Sequence, residues 1–492
     1  MASFLVWVGV LLTLFIIPFR VMSRGYLPPD DGLRYPAMAV AGKEWGDVVI
    51  MKEEFHIDHN PGWNWILRAV HLTTKADVET LCFIGVVSLA LAVMLTPLFW
   101  LRRPEAWVAS LLASVVVFPE FLYRMFLGRP LAFTMAVTMA LLLIWRKHGT
   151  EKPSWRLLLG STILFSAAVW IHGSWYVLAL IPAAFVFAGQ WRNALSLAGC
   201  WLGGVVVGGV LTGHPIEYLW NAINIVIHCF SYNPVQRVLV GEFAPSDGAY
   251  PAMFLAAIVL AFRAATGKWT WKAVNNPVFM LFLLSWMLGL AVIRFWVDWG
   301  VPALALWVAL ELHDHLTNIE TDQSLRRLAV AAALCAALFL GATSDVKGRW
   351  TNNLTTEYLD ASKPEMASWV PEDGGIVYSS YMGAFYTMFY KNPTANWRYI
   401  LGYESTFMPA EDLQILRTIQ WNYHAPKAHE PWVAKMRPQD RMIMLGPSST
   451  APAIAGLEWK NVARETWVGR LPRQRQRAVG VPAWPVLEET KR

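Results

Sequence analysis

Pro130-Leu-Ala-Phe-Thr-Met-Ala-Val-Thr-Met-Ala-Leu-Leu-Leu-Ile-Trp-Arg146-Lys147 is an uncharged run that stops abruptly on two cations. Such a run reads as a helix crossing a bilayer, which takes about 20 apolar residues per span. Working outward, comparable stretches lie at 3–19, 81–101, 106–121, 156–172, 174–189, 194–212, 251–266, 277–295, 299–312 and 326–343. With 130–146 they predict an α-helical polytopic membrane protein of about 11 transmembrane helices. Composition agrees: of 492 residues 15% are charged, whereas soluble domains carry about 25%. The mean hydropathy is +0.37, and 27 tryptophans suit a membrane interface. Residues 3–19 have neither a basic leading segment nor a small-residue cleavage site after them, so they read as an uncleaved anchor.

The loops carry the orientation. With the N-terminus in the cytoplasm, the loops on that side hold Arg102 and Arg103; Arg146, Lys147, Lys152 and Arg156; Arg192; Arg263, Lys268 and Lys272; and Arg326 and Arg327. Every short basic cluster falls on one face, as the positive-inside rule requires. The net charge of +6 thus reflects cytoplasmic loops, and no basic groove interleaved with aromatics points to nucleic acid. The other face receives the long first loop 20–80, the turn 120–129, His172, the loop 213–250, the turn 294–298 and everything after 343. His214, Glu217 and Tyr218 open the loop 213–250 as one face of an interfacial helix. Cys82, Cys200, Cys229 and Cys335 show no metal-like spacing and read as small buried hydrophobes.

The organisation expected is a transmembrane domain over 1–343, a soluble extracytoplasmic α/β domain over 344–471 and a disordered tail over 472–492. Within 344–471, helices are predicted at Pro364–Trp369, Ala384–Tyr390 and Pro409–Trp421, and strands at Gly375–Ser379 and Arg441–Leu445.

Two clusters in the first outer loop carry chemistry. Tyr26-Leu-Pro-Pro-Asp30-Asp31-Gly-Leu-Arg34-Tyr35 sets two carboxylates side by side just outside the first span. They can share a proton or cation, or one can act as a base that the other orients; an aspartate before Pro36–Ala41 would also serve as a helix N-cap. Further on, His56-Ile-Asp58-His59-Asn60-Pro61-Gly62-Trp63 flanks a turn with two imidazoles and a carboxylate, and His56, Asp58 and His59 are candidate ligands for a divalent cation.

This order of features, with Arg34-Tyr35 behind the acids and a His-x-Pro turn before the second span, resembles the GT-C membrane glycosyltransferases. The nearest likeness is to protein O-mannosyltransferases and aminoarabinose transferases, whose pattern reads Asp-Glu, Arg-Tyr and later His-Pro-Pro. Here Asp31 replaces the glutamate, Leu33 precedes Arg34, and Asn60 replaces the first proline, so the base stays open between Asp30 and Asp31. The turn Arg124-Met-Phe-Leu-Gly-Arg129-Pro130 is similar to the family's arginine-rich turn.

The resemblance implies sugar transfer from a polyprenyl-phosphate-linked donor, on the outer side of the plasma membrane, to a glycan, lipid or protein acceptor. Asp30 or Asp31 would take the acceptor's proton. The leaving phosphate needs cations that fork onto its oxygens, and Arg34, Arg124, Arg129 and Arg294 all fall on the outer face. Arg294 with Asp298 would equally form a structural pair. His59, His172 and Trp63 are candidate substrate contacts, although an interfacial histidine or tryptophan needs no ligand. A transporter or flippase of lipid-linked glycans, or a non-catalytic envelope assembly protein, are the rival readings. The apolar runs are nearly free of the mid-span charges, and the chain of the internal repeats, that a transporter would show.

Overall fold

The structure, a computed structural model, describes residues 2–55, 57–148, 151–230, 242, 244–317, 324–351, 353–354, 357–447 and 449–472. The chain forms two compact units, Met1–Lys43 with Glu53–Thr356, and Glu44–Lys52 with the residues from Glu357 onward.

Each predicted span of the first unit falls on an apolar helix. Ala2–Met22 (α1), Val78–Phe99, Leu131–His148, Trp191–Val210, Ile293–Thr317 and Leu325–Thr343 are long and apolar enough to cross a membrane. Trp155–Ile171, Trp175–Phe187, Tyr250–Ala265 and Pro277–Gly289 are shorter apolar helices. The predicted span 106–121 is a broken one: Pro104–Val117 and Pro119–Phe126 meet at 105°. Pro119 explains the break, because a proline drives the residue before it out of the helical region, and Phe118 sits at φ −135° and ψ 71°. Small residues let helices approach closely, as in membrane packing generally. A Cβ on Gly204 or Gly208 would run into Phe165, Ser166 or Val169 of the neighbouring helix.

Ion pairs report which helix ends lie together. Arg327 forks onto Glu105 at 2.7 and 3.1 Å, Arg146 meets Asp314 at 3.3 Å, and Arg263 bonds Glu311. The arginine of each pair is one assigned to the basic face. Asp30, Asp31, Arg34, Arg124, Arg129, Arg294 and Asp298, all assigned to the other face, pair among themselves and with Glu242. Among the described residues no ion pair of this unit crosses between the two sets. That segregation is what alternating spans require, and the chain is a multi-pass membrane protein.

The second unit is built on a five-stranded mixed sheet of order β2-β1-β3-β5-β4. Its strands are β1 (Ile376–Tyr378), β2 (Arg398–Tyr399), β3 (Arg441–Leu445), β4 (Glu458–Ala463) and β5 (Thr466–Arg470). β1 runs parallel to β2 and β3, with Val377 opposite both Tyr399 and Arg441; β5 is antiparallel to β3 and β4. Helices Met382–Lys391 and Ala410–Trp421 fall where the apolar periodicity puts them. Residues 44–52 join this unit from the far side of the sequence: Ile50 donates to the Tyr399 carbonyl at 2.9 Å, Lys52 to that of Phe407 at 2.9 Å, and Trp45 packs edge-on to Tyr403.

The orientation is tested by cysteine labelling. Cysteines replacing Lys147 and Arg192 are expected to be shielded from an impermeant thiol reagent in intact cells. One replacing Asp373, on an exposed turn of the second unit, is expected to react. Equal labelling at all three positions would overturn the assigned faces.

Candidate active site

The acid pair sits in the loop that follows α1. Asp31–Leu33 makes a single 3-10 turn running into the helix α2 (Arg34–Ala41). Asp30 stands at the cap position of that turn, yet its side chain makes no capping bond. It turns instead to Arg129, whose Nη2 donates to Oδ2 at 2.6 Å and Nε to Oδ1 at 3.1 Å. The capping reading of Asp30 therefore does not describe its contacts. Asp31 accepts from Arg34 Nε at 2.9 Å, and its other oxygen lies 3.9 Å from Arg129. Both carboxylates keep about a quarter of their side-chain surface open, 23% and 24%.

Two glycines bring this loop onto Arg129. Gly32 rests against the Leu127 carbonyl, which a Cβ would overlap outright, and against Pro28. Gly128 faces Gly32 from the other side and takes a left-handed φ of +67°, a conformation that costs glycine little. The chain can then turn sharply between Phe126 and Leu131 and set Arg129 against Asp30.

Behind Arg129 lies a second acid. Arg129 Nη1 donates to Glu242 Oε1 at 2.6 Å, Arg124 Nη1 reaches the same oxygen at 2.5 Å, and Arg294 Nη1 stands 3.9 Å from Oε2. Arg124 Nε meets Asp298 Oδ1 at 3.0 Å, and Arg294 Nε meets Asp298 Oδ2 at 3.2 Å. Asp298, fully buried, sits on one π-helical turn, Trp296–Gly300, closed by Val301 N–H to the Trp296 carbonyl. Such turns recur at functional sites. The segment after Glu242 is held beside Arg294, since Ile293 donates to the Ala244 carbonyl at 2.8 Å and Ser246 to that of Gly289 at 3.0 Å.

The structure thus brings Asp30, Asp31, Arg124, Arg129 and Arg294 into one network. Arg34 takes a different place: it is buried, bound to Asp31 and the Tyr35 hydroxyl, and lies over the Tyr35 ring. That hydroxyl also accepts from Asn60 Nδ2 at 2.9 Å, linking the acid pair to the turn around His59. In that turn Asp58 accepts from Asn60 N at 3.0 Å and also from the Asn64 amide, so its carboxylate braces the start of the helix Pro61–Thr74. His56 lies outside the described residues. Among the described residues no group of three or more His, Cys, Asp or Glu is placed to hold a metal ion.

His59 and His172 are both buried. Burial, with Arg34 nearby, pulls the His59 imidazole down to about 4. Burial and the cations Arg294 and Arg129 bring His172 to about 3. Both are neutral near pH 7 and can offer hydrogen bonds but no charge. His172 Nδ1 and Trp63 Nε1 are buried and have no hydrogen-bond partner among the described residues. Gly173 lets the His59 carbonyl approach the end of the helix Trp155–Ile171, where a Cβ would collide with it. His214 and Glu217 pair with each other and are mostly exposed, while Tyr218 is buried and donates to the Val169 carbonyl at 2.6 Å.

Two acids of the network shift in opposite directions. It pushes the Asp30 carboxyl above the usual carboxylate range, with Arg129 pulling the other way. It opposes ionisation of Glu242 too, but there Arg129, Arg124 and Arg294 prevail and hold the carboxyl below that range. Sequence reasoning missed Glu242, a lone acid in Gly241-Glu242-Phe243. No local signal marked it: the outer face carries other acids, Asp58, Glu120 and Glu217 among them, and only the three arginines around residue 242 single it out.

No protein-family model and no curated protein matches the chain. Solved structures do. ArnT from Cupriavidus metallidurans, bound to undecaprenyl phosphate, superposes with a TM-score of 0.57 at 14% identity, over 95% of this chain and 98% of that one. The arabinofuranosyltransferase AftD from Mycobacteria gives 0.51 at 14% identity, over 95% and 40%. The Archaeoglobus fulgidus oligosaccharyltransferase tethered with an acceptor peptide gives 0.50 at 12%, over 89% and 69%. The chain therefore shares the fold of these solved structures.

Gly32→Ala is expected to force the acid loop off Leu127 and cost about 1–3 kcal/mol of stability, as overpacking does. Gly46→Ala, whose Cβ would meet nothing within 4 Å, is the control. A thermal midpoint in detergent lowered only by Gly32→Ala is the expected result; equal midpoints would mean the turn yields.

Proposed function

We propose that this chain is a glycosyltransferase that moves a sugar from a polyprenyl-phosphate-linked donor to an acceptor hydroxyl or amine on the extracytoplasmic side of the plasma membrane. One observation supports this most: two carboxylates, each about a quarter exposed, stand in direct contact with a cluster of arginines at one end of a transmembrane unit. Glycosyl transfer needs both parts. A carboxylate removes the acceptor's proton as its oxygen or nitrogen attacks the anomeric carbon. The bond from that carbon to the phosphate oxygen breaks, its electron pair leaves with the lipid phosphate, and arginines neutralise the charge that develops there.

Asp30 is the base in this reading. Its carboxyl is open to solvent on one side, and burial makes it a stronger base than a free aspartate. Asp31, held by Arg34, steadies the turn and adds negative charge opposite the forming positive charge on the sugar ring. Arg124, Arg129 and Arg294 bind the donor's phosphate. Trp63 offers its partnerless N–H and His172 its partnerless Nδ1 to the sugar, and His59 shapes the same wall. The likeness of fold to ArnT, bound in its structure to a lipid phosphate, favours this donor class. Glycan, lipid and protein acceptors all present the nucleophile required.

Asp30→Asn is expected to lower turnover by about two to four decades, the usual worth of a general base, while donor binding and folding survive. Near-parent rates from both Asp30→Asn and Asp31→Asn would overturn the catalytic assignment. The rate–pH profile gives an independent check. The base works deprotonated, so activity is lost as pH falls through the Asp30 pKa, and that limb is expected above about 3.9, the value for a free aspartate. Arg129→Lys and Arg294→Lys keep the charge but lose the fork, and are expected to weaken undecaprenyl phosphate binding by about 1–3 kcal/mol. Unchanged affinity in both would return these residues to a structural role.

A further inference from the structure

We propose that Glu242 is an intramolecular competitor for the phosphate subsite: its carboxylate occupies the anion position between Arg124, Arg129 and Arg294, and the lipid phosphate binds by displacing it. The inference rests on the reading that these arginines take the donor's phosphate. It adds a residue, and a means of product release, that the reading does not contain.

The geometry carries it. One carboxylate oxygen lies 2.5 Å from Arg124 and 2.6 Å from Arg129, and the other is 3.9 Å from Arg294. No other acid among the described residues touches all three arginines. Asp298 touches Arg124 and Arg294, Asp30 touches Arg129, and each is reached through a different edge of its guanidinium. The arginine groups that face Glu242 are the Nη1 nitrogens of all three residues. An oxyanion placed there would find the same three donors, and a carboxylate and a phosphate both suit an arginine fork.

The exchange also balances in charge. The donor's phosphodiester carries one negative charge, as Glu242 does, so one anion replaces another and the buried network keeps its net charge. After transfer the lipid phosphate is a monoester, whose second ionisation near pH 6 brings its charge toward −2. Bare arginines would hold this product more tightly than the donor. A tethered carboxylate at high effective concentration competes with it and helps it leave. Ala244 and Ser246 are pinned to Ile293 and Gly289, so the displacement proposed is a swing of the Glu242 side chain about its own torsions.

A competitor lowers apparent affinity by the fraction of protein in which the site is open. Glu242→Gln removes the charge and keeps the shape. In the full chain reconstituted in nanodiscs, it is expected to bind undecaprenyl phosphate, and inorganic phosphate as a tail-free probe, about tenfold more tightly than the parent. It should also show a lower KM for donor, stronger product inhibition by undecaprenyl phosphate, and a larger rise of thermal midpoint on adding phosphate. Glu242→Asp, which draws the carboxylate back but keeps its charge, is expected to fall between the two and covers the case in which Glu242→Gln does not fold. Affinity equal to or below the parent's in the folded variants would overturn the proposal and make Glu242 a clamp that positions the arginines. If the parent transfers no sugar yet the phosphate gain appears, the glycosyltransferase reading fails and the anion subsite stands. If transfer is confirmed and the gain is absent, only this inference fails.

Discussion

The Arg129 guanidinium is the joint on which the site turns. Its Nε–Nη2 edge holds Asp30 from the loop after α1, and its Nη1 holds Glu242 from a loop more than a hundred residues away. A planar group with five fixed donors can fork onto one carboxylate and still donate to a second along another edge, whereas an ammonium meets each carboxylate as a point charge. A buried ion pair repays its desolvation only when geometry is this good. Much of the local structure serves to make it so. Gly32 and Gly128 remove the side chains that would hold the acid loop away, and Pro130 follows Arg129 at the entry to the helix Leu131–His148.

The wider network follows the same logic of matching. Asp298 could not stay charged in its buried turn without Arg124 and Arg294, and those two could not face inward without acids to meet. Four arginines and four carboxylates come to formal neutrality, drawn from the first loop, the Arg124–Arg129 turn, residue 242 and the 294–298 turn. The opposite helix ends carry separate pairs, Glu105 with Arg327 and Glu311 with Arg263, that close helices together. The contrast lies in exposure: Glu105 and Glu311 are almost wholly covered, whereas Asp30 and Asp31 are not.

Much of this was legible in the sequence because it was written in composition and charge. Apolar runs marked the helices, and basic loops sorted Arg124, Arg129 and Arg294 onto the face of the acid pair, so their meeting needed only the alternation of spans. What was not legible depended on contacts between distant segments. Glu242 has no local pattern, and only its partners give it meaning. Asp30 looked like a helix cap because sequence shows the neighbour it precedes but not the arginine it meets. The break at Pro119 turns one predicted span into two helices, since hydropathy sees the apolar content of 106–121 and not its path. Residues 44–52 pair beside β2 through backbone groups at Ile50 and Lys52, which carry no side-chain signature.

On the proposed reading, placing one guanidinium between base and leaving group has a consequence for the balance of the site. Burial, which favours the protonated acid, raises the basicity of Asp30. The Arg129 fork opposes it, because protonating the carboxylate forfeits a charge-assisted bond. The donor phosphate meets the same guanidinium on its Nη1 side, in the place of Glu242, so the fork to Asp30 is kept while the anions exchange. One planar group then holds the base in position and meets the leaving group through separate edges. A lysine at position 129 could bind either anion as a point charge but would fix neither in direction, so holding both at set places belongs to the planar fork itself.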